Sequence, residues 1–174
     1  MKVKETNFIK YVIISSILLI IPVMSPNSYF MQIINMAGLY LILAMGFNIL
    51  RGYAGLLTLG QAAFYAVGAY TTAIMNTKLG TSFAVNLLAS VIVTCVVGLI
   101  IAIPALKVKG SYLAVLTLGF GEIVRLVLVN WISFTNGPSG ILNIDSPIIL
   151  GFNFDTLEKF YYIILFFVII LSIY

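Results

Sequence analysis

Of the 174 residues, 62% are hydrophobic and 8% charged, against roughly a quarter charged in soluble domains; that leaves too little polar surface to cover a soluble core. The chain has no histidine and one cysteine, Cys95, which excludes a Cys/His metal cluster, an internal disulfide and a histidine-based catalytic triad. The net charge is +4, but the basic residues stand singly or in pairs, as topology signals do, rather than in a nucleic-acid-binding patch.

The apolar runs are continuous rather than alternating, which disfavours a β-barrel. The expected fold is therefore all-α, a polytopic helical membrane protein of about six spans in a single transmembrane domain, residues 1–174. The first span, about 8–24, follows Lys2 and Lys4 and has Lys10 near its start. It reads as an uncleaved helix rather than a signal peptide, because Pro26 spoils the cleavage site. The second covers about 33–50 and stops at Arg51, and the third about 52–75. The fourth, about 83–103, ends at Pro104, and contains Cys95, expected as an inert core residue. The fifth covers about 111–132. The sixth, about 160–174, is short of a full crossing.

Charges on alternate sides of these spans set the orientation. One side carries Lys2, Lys4, Lys10, Arg51, Lys107 and Lys109 against Glu5; the other carries Lys78 and Lys159 against Asp145, Asp155 and Glu158. By the positive-inside rule the N-terminus is expected in the cytoplasm.

Within this apolar background one frame occurs twice. Residues 53–60 and 112–119 both read Tyr-x-x-x-Leu-Thr-Leu-Gly, and each leads to a polar side chain, Gln61 or Glu122. Both copies start from the cytoplasmic side and run outward, so they are parallel elements. Five shared positions in eight are compatible with duplication or with chance among common membrane residues. Repeated, glycine-interrupted apolar segments point to a solute pathway.

The first copy lies in a stretch too rich in glycine for an uninterrupted helix, with Gly52, Gly55 and Gly60. A break there, with a second half-helix starting near Thr58–Gln61, would aim N–H groups into a cavity and suit a carboxylate. The other reading is tight helix packing through the small pairs Ala62/Ala66, Gly68/Thr72 and Ala69/Ala73. In the second copy Thr117, Gly119 and Gly121 suggest a second break, leading to Glu122 and Arg125. That pair is three residues apart, on one face. Charges inside a span face the bundle interior or a water-filled path, so the pair serves either structure or solute contact. Asn86, Ser90, Thr94 and Gly98 form a packing stripe on the fourth span. Residues 133–158 read as a polar outer loop with a turn at Asn136, Gly137 and Pro138, open to an extracytoplasmic partner.

The segment Gly52-Tyr-Ala-Gly-Leu-Leu-Thr-Leu-Gly-Gln-Ala-Ala-Phe-Tyr-Ala-Val-Gly-Ala-Tyr resembles the signature of branched-chain amino acid ABC transporter permeases. Lys107-Val-Lys-Gly-Ser-Tyr-Leu-Ala-Val-Leu-Thr-Leu-Gly-Phe-Gly-Glu-Ile-Val-Arg and the loop Thr135-Asn-Gly-Pro-Ser-Gly-Ile are similar to the LivM-type subunit. The resemblance covers about 44–144. It implies a permease subunit of an ATP-driven importer in a prokaryotic inner membrane, working by alternating access. The implied partners are a LivH-type permease subunit, two cytoplasmic ATPase subunits and an extracytoplasmic amino-acid-binding protein. The chain has no phosphate-binding loop, so ATP is expected on the ATPase partners, with no cofactor, metal or enzymatic activity in this chain. Family members are considerably longer, so a fragment or truncated product is expected, lacking the loop that docks on the ATPase. The pathway residues expected are Gly55, Thr58, Gly60, Gln61, Thr117, Gly119, Gly121, Glu122 and Arg125. The alternative function is a passive channel or facilitator for a small polar solute such as urea or an amide.

Overall fold

The structure is a computed structural model that describes residues 22, 27–56, 58–108, 110–149 and 152–173. The first expected span therefore lies outside the described residues, Pro22 excepted. Two compact units are present, residues 1–45 with 154–174 and residues 46–153.

In the first unit, helix α1 (Ser28–Ala54) begins behind Asn27, whose side-chain oxygen accepts a hydrogen bond from the Phe30 N–H at 2.9 Å. That is the usual role of asparagine ahead of a first helical turn. The last described helix, α6 (Leu157–Ile173), opens with an Asp155–Lys159 ion pair at 2.8 Å. The Lys159 ammonium holds the Asp155 carboxyl below the usual carboxylate range. Met31 of α1 packs with Tyr161 and Leu165 of α6, flanked by Ile34 and Ile169. The spacing of three or four residues along each helix creates this shared stripe. Asn35 joins it by donating to the Leu157 carbonyl at 2.9 Å.

The second unit is built on α2 (Gln61–Leu79), which packs against α3 (Phe83–Ala105) and α4 (Ser111–Asn130). The expected stripe on α3 is its packing edge. Asn86 and Ser90 are buried, Thr94 touches Gly68, and Gly98 approaches the Phe64 ring. Asn86 is held by the Thr81 carbonyl at 3.1 Å and by the Thr81 hydroxyl. Phe64 meets Phe120 of α4 with ring centroids 5.6 Å apart. Cys95, expected in the core, is exposed on α3.

Among the described residues three helices are long and apolar enough to cross a membrane: α1, α3 and residues 112–130 of α4. Their broad exposed faces of leucine, isoleucine and valine suit a hydrocarbon solvent. Helix α2 has 19 residues, but Gln61, Thr71, Thr72, Asn76, Thr77 and Lys78 dilute its apolar character. The boundaries also shift. Helix α1 runs on to Ala54 through the expected start of the third span, and α3 carries Pro104 inside its last turn. There the Leu106 N–H still reaches the Ala102 carbonyl at 2.9 Å, so the proline ends nothing abruptly. The loop expected as merely polar contains a short helix, α5 (Ile132–Thr135), a 3-10 turn over Gly137–Ser139, and a two-residue antiparallel ladder. That ladder pairs β1 (Ile148–Ile149) with β2 (Phe152–Asn153).

Candidate pathway at the helix break

Gly55 ends α1. Its N–H donates to the Arg51 carbonyl at 3.1 Å and its φ is +63°, the left-handed turn that glycine takes without steric cost. Five residues later Gly60 caps the start of α2, with the Ala63 N–H on its carbonyl at 3.0 Å. The expected break in the first copy of the repeated frame is therefore present.

Two backbone donors of that break are satisfied from within the protein. The Leu59 N–H donates to the Thr117 hydroxyl at 2.9 Å, and the Gly60 N–H to the Thr58 hydroxyl at 3.2 Å. Thr117 in turn donates to the carbonyls of Leu113 and Ala114, each at 3.0 Å. Thr58 and Thr117 are both buried. They are the same position of the two copies, so the repeated frames meet threonine side by threonine side. A Cβ on Gly60 would lie 3.2 Å from the Thr117 carbonyl oxygen and 3.3 Å from the Thr117 Cβ. Two of the amides expected to face a solute are thus bonded to hydroxyls, a correction to the open-ended reading. Gln61 stands next, half-buried at the start of α2.

The second copy does not break. Thr117, Gly119 and Gly121 all lie inside α4, and a side chain added at either glycine would meet open space. Glu122 and Arg125 form a forked ion pair. Arg125 Nη2 is 2.6 Å from Glu122 Oε1, and Nε is 3.1 and 3.0 Å from the two carboxylate oxygens. Both side chains are more than half exposed, at 52% and 63%. Glu122 is five residues beyond Thr117, about 140° further round the helix. The structure therefore joins Thr58, Gly60 and Thr117 in one constellation, leaves Gly55 at the end of α1, and sets the charged pair on a different side of α4.

The loop residues divide too. Asn136 (φ +65°) and Pro138 are exposed, whereas Gly137 is buried with φ +60°. A Cβ on Gly137 would fall 2.9 Å from the Val129 carbonyl oxygen, so that glycine serves the turn. Sequence reasoning missed how the loop is tied down. Lys78 Nζ lies 4.4 Å above the Phe134 ring and donates to the Ser133 carbonyl at 2.9 Å. The Asp145 N–H donates to Asn76 Oδ1 at 2.8 Å. These contacts join residues far apart in the chain, and no periodic pattern announces them. Among the described residues no cluster of three or more acidic, cysteine or histidine side chains could hold a metal.

Apolar spanning helices, a glycine-bounded break and an ion pair within a span define an integral membrane protein of the permease class. Residues 29–174 match the family model described as the permease component of branched-chain amino acid transport systems. The chain belongs to that family. It is 43% identical over 124 residues to the high-affinity branched-chain amino acid transport system permease protein LivM of Salmonella typhimurium, covering 71% of this chain and 29% of that protein. It is also 43% identical over 117 residues to LivM of Escherichia coli, covering 67% and 28%. The chain thus spans less than a third of the length of these relatives. No solved structure matches it significantly.

Proposed function

We propose that the chain contributes part of the translocation pathway of an ATP-driven importer of branched-chain or related amino acids. The observation that carries this reading is the Glu122–Arg125 pair. It sits in the inner part of a helix apolar enough to span a membrane, yet its own unit leaves it uncovered. Charges at such depth need protein or water around them, and a path for a zwitterionic solute supplies both. The break at 55–60 ends α1 and starts α2 beside Thr117, which gives this region two rigid segments about a short non-helical joint.

In this reading the complete permease works by alternating access in a prokaryotic inner membrane, with the N-terminus cytoplasmic. It operates with a LivH-type permease subunit, two ATPase subunits that bind ATP, and an extracytoplasmic amino-acid-binding protein. Asn136 and Pro138 are offered to that last partner. The family membership and the similarity to LivM support the assignment; the positive-inside charge count supports the orientation.

The test is Glu122→Gln and Arg125→Gln, each placed in a full-length permease with its partners in membrane vesicles. Both variants are expected to assemble and to lose ATP-dependent uptake of labelled leucine. Wild-type uptake by both would remove the pair from the pathway. Uptake that persists without ATP would instead favour the passive facilitator.

A further inference from the structure

A cavity of about 370 Å³ lies where α3 gives way to α4 beside the end of α1, within the roughly 300–1,000 Å³ typical of ligand pockets. Its walls include Gly55, Leu56, Ala105, Leu106, Val108 and Leu113, and none of its eight lining residues has a polar or charged side chain. Two glycines with positive φ, Gly55 and Gly110, are part of the wall. Cationic residues stand immediately beside it in the chain. Lys107 lies between the lining residues Leu106 and Val108, and Arg51 accepts the Gly55 N–H on its carbonyl, one turn before the wall. Both are exposed, and among the described residues neither makes an ion pair.

We propose that this cavity holds an acyl chain of an anionic phospholipid whose headgroup phosphate is met by Arg51 and Lys107. The chemistry selects this occupant over an amino acid. A zwitterion would strand its ammonium and carboxylate against apolar walls, and an unpaired buried charge is strongly unfavourable. A lipid places only its apolar tail inside and leaves its phosphate at the basic rim. Basic side chains beside interhelical pockets recognise anionic headgroups in this manner. Arg51 and Lys107 also belong to the basic-rich set of span ends. The site is separate from the Glu122–Arg125 pair and does not depend on the transport reading.

The experiment places the 174-residue chain in nanodiscs of equal parts phosphatidylglycerol and phosphatidylcholine, then reads the lipid retained after mild detergent extraction by native mass spectrometry. Phosphatidylglycerol is expected to be retained preferentially. Arg51→Gln and Lys107→Gln are each expected to lower that retention about fivefold. Ala105→Trp, which fills the cavity with both charges intact, is expected to release the lipid. Equal retention of the two lipids, or unchanged retention in the Arg51→Gln/Lys107→Gln double variant, would overturn the proposal. So would loss of lipid on filling the cavity with no response to the charges, since that marks a slot for any apolar chain. Should Ala105→Trp fail to fold, the charge variants decide alone, because both residues are exposed.

Discussion

Two segments written in the same frame adopt different backbones. Residues 53–60 leave a helix and start another, whereas residues 112–119 stay helical throughout. The frames share tyrosine, both leucines, threonine and the final glycine, so those residues cannot be what breaks the chain. Of the three positions at which the copies differ, the third contrasts a helix-ending residue with a helix former: the first copy has Gly55 and the second Ala114. Gly55 takes φ +63° and ends α1, while alanine is the strongest helix former and avoids that conformation. A terminal glycine alone is tolerated inside a helix, as Gly119 and Gly121 are. The contrast also assigns roles: the unbroken copy supplies the rigid rail, and its Thr117 holds the broken one.

The strongest way to break this arrangement is Gly60→Leu. The new side chain would begin 3.2 Å from the Thr117 carbonyl oxygen, and backbone cannot give way as a flexible side chain can. A destabilisation of about 3 kcal/mol is expected from such overpacking, read from the thermal midpoint in detergent. Gly119→Leu, the matching change in the second copy, meets open space and should leave the midpoint near wild type. Equal losses in the two variants would mean that the copies do not meet at Gly60.

Next in size is Thr117→Val, which keeps the shape and removes the acceptor for the Leu59 N–H. An amide left without a partner at this partly buried site costs about 1–3 kcal/mol. Thr117→Ser, which keeps the hydroxyl, should restore most of that. A smaller effect is expected from Gly55→Ala. Nothing lies within 4 Å of the added Cβ, so only the left-handed backbone opposes it, at about 1–2 kcal/mol. A neutral outcome by chemical denaturation would show that Gly55 does not need its positive φ to end α1.

Local chemistry in this chain was readable where one residue type suffices. The break was legible from Gly55 and Gly60, the packing stripe from Asn86 to Gly98, and the ion pair from the three-residue spacing of Glu122 and Arg125. The tertiary consequences were not. Nothing in either copy signals that Leu59 will donate to Thr117, because that bond depends on how α2 lies against α4. Gly119 and Gly121 weaken a helix and so suggest a second break, but the propensity of the surrounding Leu and Ala outweighs them. The sequence alone places helix α2 within a span from 52 to 75. Its true start at Gln61 follows from a turn that needs both glycines, and its polar residues were hidden by averaging over the run.

The smallest expected effect tests the comparison most directly. Ala114→Gly gives the second copy the glycine that the first has at the same place. If glycine at the third position were sufficient to break the frame, α4 would open there and Thr117 would lose the carbonyls of Leu113 and Ala114 that fix its hydroxyl. The loss would then equal that of Thr117→Val. The expectation is different. Gly55 stands at the end of a long helix with Leu59 and Gly60 anchored outside it, whereas Ala114 is buried in the first turns of α4 against its neighbours. Glycine there should cost only about 0.5–1 kcal/mol of backbone entropy, and the amide protons of Leu118 and Gly119 should remain slow to exchange with deuterium. Fast exchange at those amides would show that a single residue decides between rail and break. Slow exchange would show that the break also needs a hydroxyl from a neighbouring helix to receive its freed amide.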